Sequence, residues 1–434
     1  MFLKRLALTN IRSIERLEMS FETAGHETRK WTFILGENGT GKSSILRAIA
    51  LLVAGSEALP ELLVRPDTWI RLGQAECAIE ADLVTAEGEE RHIALRWARG
   101  QHIRTIFEQN KETMDRLDAA LRHTNRNYFT IGYGVSRRFA DNRSVNTFRE
   151  VYAHPRAQGV ATLFSNDAVL NPLDTWAMDM EYRRSQAGLD IVRKALANLL
   201  PGVTLSRIDR ENRELLFATP DGELPLSQLS DGYQNMAAWC GDLVYRIVTT
   251  YADYEQPLSA RGLLLIDEID LHLHPVWQRV LKNFLDRKLP NFQILGTTHS
   301  PLTAQQAGEE ELYFLRRAGE TGPARLEAYT GAPNKLLTHQ VLLSPVFGLP
   351  SMNSKEVEDL KGEYRSLQAA EGSLSRAQKT RLNRLRDALS DIPDWTRETE
   401  HDRRQTELLA KIQETLERRP ASGNGRGGRR KGRA

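Results

Sequence analysis

The chain has 434 residues, 40% hydrophobic and 27% charged, which excludes a fully disordered or fibrous protein and suffices for one large or two to three ordinary domains. Its formal net charge is +2, but residues 420–434 hold five basic groups and no acid, so the remainder is slightly acidic and overall charge points to no nucleic-acid role. Cys77 and Cys240 fit neither a zinc spacing nor a disulfide framework, charges are scattered through residues 1–21, and no apolar run nears the ~18 residues of a membrane span, so a soluble, cytoplasmic protein with free buried thiols is expected.

In chain order, Ile14, Leu17, Met19 and Phe21 approach a period of two and read as a strand. Residues 31–35 form a short apolar run that stops at Gly36, again a strand. Residues 44–54, rich in Ile, Leu and Ala, read as a buried helix. Segments 76–84 and 91–97 alternate as an antiparallel layer would, and 128–133 is a further strand. Residues 136–185 are mixed and polar and read as an insertion with some helix. An amphipathic helix is predicted at 189–200, a hairpin at 203–208 and 214–218, and a long helix at 231–251. A continuous apolar strand at 262–266, a helix at 276–286, and strands at 292–297 and 312–316 follow.

After about residue 337 the character changes. Pro345 and Pro350 mark a linker, and 356–370, 376–389 and 399–418 read as charged amphipathic helices. Ser375 with Gln378 makes a capping-box pattern for the second, and Leu382, Leu385 and Leu389 fall on one face. From Pro420 the Gly/Arg-rich sequence predicts a disordered basic tail.

Residues 36–43, Gly-Glu-Asn-Gly-Thr-Gly-Lys-Ser, fit G-x-x-x-x-G-K-[ST] between a predicted strand and a predicted helix. Glycines let successive N–H groups converge on phosphate oxygens. Gly36, Asn38, Gly39, Thr40, Gly41, Lys42, Ser43 and Ser44 are therefore the candidate nucleotide-binding residues. Lys42 supplies a positive charge for the β- and γ-phosphates and the Ser43 hydroxyl a Mg²⁺ ligand. The strand 262–266 ends in Asp267 and Glu268. Asp267 suits Mg²⁺ and Glu268 suits orientation of an attacking water, at the edge of a parallel sheet where ligands bind. His299 follows the next strand and can donate a hydrogen bond to a γ-phosphate. Residues 229–234, Leu-Ser-Asp-Gly-Tyr-Gln, precede a long helix that Ser230 can cap. Its hydroxyl and the Gly232 N–H form a second anion-binding point. His272 and His274 make a His-x-His that reads as a contact loop rather than a metal site.

In this order the parts resemble the ABC-type ATPases. Residues 36–43 look like Walker A, 229–234 like the signature, 263–268 like Walker B, 270–275 like the D-loop and His299 like the switch histidine. Residues 8–13, Leu-Thr-Asn-Ile-Arg-Ser, are similar to the first strand of SMC-like and RecF-like ATPases, whose arginine, here Arg12, lies near the nucleotide. Residues 133–137, Tyr-Gly-Val-Ser-Arg, and 266–275 resemble the stand-alone ATPases of bacterial antiphage defence, such as those of Septu and retron-linked systems. Asp231 stands where the family signature has Gly, and 133–137 hold no glutamine for a Gln-loop.

The resemblance implies an α/β P-loop NTPase of ABC-ATPase type, with a mixed sheet, an antiparallel N-terminal layer and a helical lobe, plus a C-terminal α-helical appendage. Expected boundaries are 1–340 for the head, with the lobe at about 135–230, then 341–419 for the helical region and 420–434 for the tail. It implies ATP and Mg²⁺ as cofactors and an ATP-sandwiched dimer or higher assembly. There Ser230, Gly232 and Gln234 of one head meet the nucleotide of the other. It also implies a partner effector, expected to be a nuclease, and no membrane partner. A second reading is a DNA-clamping repair ATPase, to which the basic tail offers a DNA contact. A third, the ATPase of a transporter, is disfavoured by the N-terminal strand and the C-terminal addition.

Overall fold

The computed structural model describes residues 1–121, 129–137, 152–171, 173–196, 202–252, 254–317, 319, 322–370 and 374–390. They form two compact units, divided between Pro350 and Ser351.

The first unit opens with β1 (Phe2–Ile11) and β2 (Ile14–Ser20), which pair antiparallel. β3 (Trp31–Gly36) leads through the glycine loop into α1 (Lys42–Val53), followed by the single turn α2 (Leu59–Leu62). β4 (Glu76–Val84) and β5 (Glu90–Ala98) complete a four-stranded antiparallel sheet in the order β2-β1-β4-β5. Its strands alternate buried and exposed residues, as a sheet with one covered face must.

α3 (Ile103–Ala120) packs on β5 and was not foreseen. Its buried positions, Ile106, Asn110, Met114, Leu117 and Ala120, do follow a helical period. One of them is polar, however, and Asn110 is buried only because its amide bonds Ile106 O and both backbone groups of Arg96.

β6 (Thr130–Tyr133) is followed by the short helices α4 (Pro155–Gly159) and α5 (Ala161–Phe164) and by α6 (Leu173–Leu196). The helix predicted at 189–200 is thus the end of a longer one that begins sixteen residues earlier, inside the stretch that reads as irregular. Its polar start conceals an apolar face: Leu173, Trp176, Ala177 and Met180 are buried. β7 (Thr204–Asp209), β8 (Glu214–Thr219) and the unforeseen β9 (Gly222–Pro225) make a small antiparallel sheet. α7 (Asp231–Thr250) and β10 (Gly262–Ile266) follow.

The helix predicted at 276–286 is two pieces, α8 (Pro275–Gln278) and α9 (Leu281–Lys288). β11 (Phe292–Thr298), α10 (Pro301–Ala304), β12 (Leu312–Arg317), the unforeseen β13 (Ala324–Ala328) and α11 (Thr338–Leu343) complete the unit.

The central sheet runs β13-β12-β3-β11-β10-β6, parallel except for β13. Both faces are covered, so β3, β10 and β11 read as continuous apolar runs. One face, with Ile34, Leu263, Leu265, Leu295 and Leu315, packs on α1 and the antiparallel sheet. The other, with Phe33, Leu35, Leu264, Ile266 and Ile294, packs on α6, α7 and α9. α1 lies between two sheets and is therefore buried nearly all round. The sheets are stitched by Gln293 of β11. Its amide accepts from Leu3 N (2.7 Å) and donates to Leu3 O (2.8 Å) on β1.

In the second unit α12 (Lys355–Ala369) packs against α13 (Arg376–Ser390). The capping box is formed: Ser375 N donates to Gln378 Oε1 (2.9 Å) and Gln378 N to Ser375 Oγ (3.3 Å). Leu382 and Leu385 are buried, while Leu389 is partly exposed. The helix predicted at 399–418 and the tail at 420–434 lie outside the described residues.

Candidate active site

The glycine loop joins β3 to α1 at the carboxyl edge of the parallel sheet. Gly41 has φ 114°, and a Cβ there would stand 2.7 Å from Ser13 Oγ, so only glycine fits. Ser13 Oγ donates to Thr40 O (3.1 Å), buttressing the loop from the β1–β2 turn. Thr40 is fully buried and bonds Glu37 O (2.8 Å), while Arg317 from β12 donates to Gly39 O (2.8 Å). Asn38 and Gly39 are exposed at the tip, Ser43 is partly exposed in the first turn of α1, and Ser44 is buried. α1 has no capping side chain, which leaves its first N–H groups and positive dipole end to the loop.

Lys42 folds back over this cradle and donates to Gly36 O (2.8 Å) and Glu37 O (2.9 Å). Those two carbonyls occupy the role of phosphate oxygens, so the residues present fit a bound triphosphate. Burial holds the Lys42 ammonium below its ordinary pKa, against the opposing pull of Asp267, Glu268 and Glu37.

β10 delivers Asp267, which is buried and accepts from Thr297 Oγ1 (2.6 Å). The same Thr297 oxygen accepts from Glu268 N (2.7 Å), so β11 fixes both residues of the acidic pair. Glu268 has φ 47°, a left-handed conformation that turns the chain sharply off the strand end. A carboxylate set in a buried hydroxyl bond suits a hard cation with oxygen ligands, and the Ser43 hydroxyl in the first turn of α1 is a further oxygen donor of that kind.

His299 is exposed just beyond β11. Its pKa is lowered, by partial burial first and the Lys42 charge second, against Glu268, Asp270 and Asp267. Lys42, Asp267, Glu268 and His299 follow the neighbouring parallel strands β3, β10 and β11 at one carboxyl edge of the sheet. Beside it a cleft of about 440 Å³ is lined by Gly36, Glu37, His299, Phe314, Arg316 and Phe347 among others.

Arg12 lies in the turn between β1 and β2. Its guanidinium lies 4.5 Å over the Trp69 ring, and its pKa is lowered by burial and by Arg47 of α1. Ser13, the next residue, is the one bonded to the loop.

At the head of α7, Ser230 holds the N-cap position with no side-chain capping bond, contrary to the expectation that its hydroxyl caps the helix; the side chain is exposed. Gln234 braces the loop, donating to Leu229 O (2.7 Å) and Ser227 O (3.2 Å). A Cβ on Gly232 would stand 3.0 Å from His272 O, and the Tyr233 ring meets Trp277 edge-on at 4.5 Å. The signature-like loop therefore rests on the D-loop-like segment of its own chain. In that segment His274 Nδ1 accepts from Val276 N (3.4 Å) and caps α8.

Three contributors escaped the sequence reading. Thr297 is one. Arg137, in the short segment after β6, is another: it donates to the carbonyls of Asp267 and Glu268 (2.8 Å to the latter). The third is Asp242 of α7, buried and bonded to Tyr133 Oη (2.8 Å), Arg246 Nε (2.8 Å) and Asn171 N (3.0 Å). Because β6 pairs with β10, residues just past β6 are within reach of the acidic turn, a neighbourhood that only the fold reveals. Both cysteines are buried and free, with burial pushing their thiol pKa values up.

Comparison with known proteins agrees with this geometry. Residues 104–304 match an AAA-domain family whose description also names the AbiEii toxin and a Type IV TA system, and residues 5–145 match a second AAA-domain family. The Septu protein PtuA of Bacillus mycoides is 26% identical over 90% of this chain and 50% of the relative. "Retron Ec83 probable ATPase" of Escherichia coli is 31% identical over 31% of this chain and 25% of the relative. The chain thus spans half or less of the length of these relatives. The SMC head domain from Thermotoga maritima superposes with a TM-score of 0.41 at 16% identity, covering 76% of this chain and 99% of that one. A glycine loop, an acidic strand end and a histidine thus stand on one parallel sheet edge, the arrangement of a P-loop ATPase, in a chain whose sequence is similar to the Septu and retron ATPases.

Proposed function

We propose that the chain binds ATP with Mg²⁺ and hydrolyses it between two copies of itself, as the ATPase of a bacterial antiphage defence system. The observation that carries this reading is the contrast within the site. Lys42, Asp267, Glu268 and His299 stand at the carboxyl ends of neighbouring parallel strands, while the exposed Ser230 makes no capping bond and is held on a loop braced by its own chain.

In this reading the loop N–H groups and Lys42 hold the phosphates. Ser43 and Asp267 are the residues that would hold Mg²⁺, which when bound neutralises phosphate charge. Glu268 orients the attacking water, and neutral His299 donates to the γ-phosphate. Ser230 and Gly232 of a second copy close the site. The Septu and retron names of the relatives support the defence setting, and a partner effector, expected to be a nuclease, would supply chemistry beyond ATP.

The test is complementation. Lys42→Ala and Ser230→Arg each lack turnover alone. Mixed, they form dimers in which one of the two sites has an intact loop and an intact facing signature. Recovery of roughly a quarter of wild-type turnover per chain, half the dimers with half their sites, is expected for dimer exchange. No recovery on mixing, with both variants folded and exchanging subunits, defeats the trans arrangement.

A further inference from the structure

We propose that Arg137 is the positioning residue for Glu268, holding the Asp267–Glu268 turn in the one geometry that aims the glutamate at the attacking water. The inference rests on the ATPase reading above.

Arg137 is 5% exposed, and an arginine is rarely buried so completely without specific partners. Here the partners are backbone oxygens. Nε donates to Gly134 O (2.9 Å), and Nη2 is shared between Asp267 O and Glu268 O. The guanidinium also lies 5.9 Å from the Trp239 ring. Burial lowers its pKa to about 10, against the pull of Asp267, Cys240, Asp270 and Glu268, so it stays charged at neutral pH.

Glu268 needs such a clamp. Its left-handed backbone is unfavourable for a non-glycine residue and persists only where surrounding bonds over-determine it. Thr297 fixes its N–H and Arg137 its C=O, so the peptide on each side of the glutamate is tethered. A planar fork can serve Gly134 and the acidic turn together, whereas an ammonium offers one point charge.

The clamp also has a second attachment. Trp239 lies on α7 downstream of Ser230, and Asp242 of the same helix bonds Tyr133, four residues before Arg137. The helix that carries the signature-like loop is therefore built onto the arm that carries the clamp.

A residue that acts through Glu268 gives a distinctive double-mutant cycle. Single-turnover hydrolysis, ATP affinity and thermal melting are measured for wild type, Arg137→Lys, Arg137→Gln, Glu268→Gln and Arg137→Lys/Glu268→Gln. Arg137→Lys is expected to slow hydrolysis by about 10–100-fold with ATP affinity within threefold, the signature of a lost transition-state interaction. In the Glu268→Gln background it is expected to cost less than twofold more. Full activity in Arg137→Lys overturns the proposal, as does an undiminished cost in the double variant. Should Arg137→Gln fail to fold, the lysine variant alone decides. No hydrolysis by wild type sinks the ATPase reading itself, a result distinguishable from both.

Discussion

Lys42, Thr40, Asp267 and Thr297 are buried, and each is bonded within the chain; Ser230 is exposed at the head of α7 and makes no capping bond. The first region holds its shape by itself, because its polar groups are out of water and each lost bond would strand a partner. The second is shaped by its neighbours, Gln234 and the His272 carbonyl, and the Ser230 hydroxyl makes no capping bond. The chain thus spends its bonds on the first region and leaves the second exposed. The link between the two is Asp242, placed on the signature helix and bonded to β6.

Breaking that link has the largest expected effect. Asp242→Asn leaves the Arg246 guanidinium without its carboxylate in a largely buried site, which costs about 3 kcal/mol or more. Denaturant unfolding of the variant is expected to show this loss. A change below about 1 kcal/mol, the worth of an ordinary hydrogen bond, breaks the view of Asp242 as the joint.

Lys42→Ala probes the rigid region. The ammonium stands to make charge-assisted bonds to phosphate, and losing one or two of about 1.5 kcal/mol each weakens ATP binding roughly 10–100-fold. Titration calorimetry with Mg²⁺-ATP reads this directly. Retained affinity would mean that backbone N–H groups and the α1 dipole carry the phosphates alone.

The rigid region was the more legible one. Its strands are continuous apolar runs ending at glycine or at an acidic pair, so residues 36–43 and 267–268 announce both position and chemistry. α3 was missed because its buried face includes Asn110 and its remaining surface is charged; the start of α6 was missed because polar residues separate Leu173, Trp176 and Met180. α8 and α9 were read as one helix because His274 and Pro275 begin a turn whose break at Arg279–Val280 leaves the apolar pattern intact. Arg137 ends the string Tyr-Gly-Val-Ser-Arg, in which nothing local assigns it a role. Its role depends on β6 pairing with β10, a contact between segments some 130 residues apart that no local pattern encodes. The free hydroxyl of Ser230 was likewise hidden, since serine before a helix reads as a cap.

His299 offers a finer measure of how tightly the crevice gathers its charges. Its pKa is lowered, so the ring is neutral at pH 7 and gains its proton only at pH below the ordinary value of 6.5. Ring NMR titration is expected to place the midpoint there. Lys42 pushes the value down and Asp270 holds it up, so Lys42→Ala should raise the midpoint and Asp270→Asn should lower it further. In Asp270→Asn, activity that uses the neutral ring follows, with its acid limb moving to lower pH. Opposite signs would mean that the three side chains do not share one crevice.

The smallest effect sharpens the comparison most. Gln234 has a place in the signature-like sequence, which assigns it to the neighbouring copy, yet its amide here bonds Leu229 O and Ser227 O in its own chain. Losing a bond of this kind costs about 1 kcal/mol, a factor of about five in loop opening. If the brace is its role, Gln234→Ala accelerates amide exchange at 227–230 about fivefold already in the nucleotide-free protein. If the amide instead serves the partner's nucleotide, exchange in the free protein is unchanged. The difference then appears only with ATP on the Glu268→Gln background, where copies stay together. The first outcome makes the readiness of Ser230 a property of one chain, set before any partner arrives; the second makes it a property of the pair.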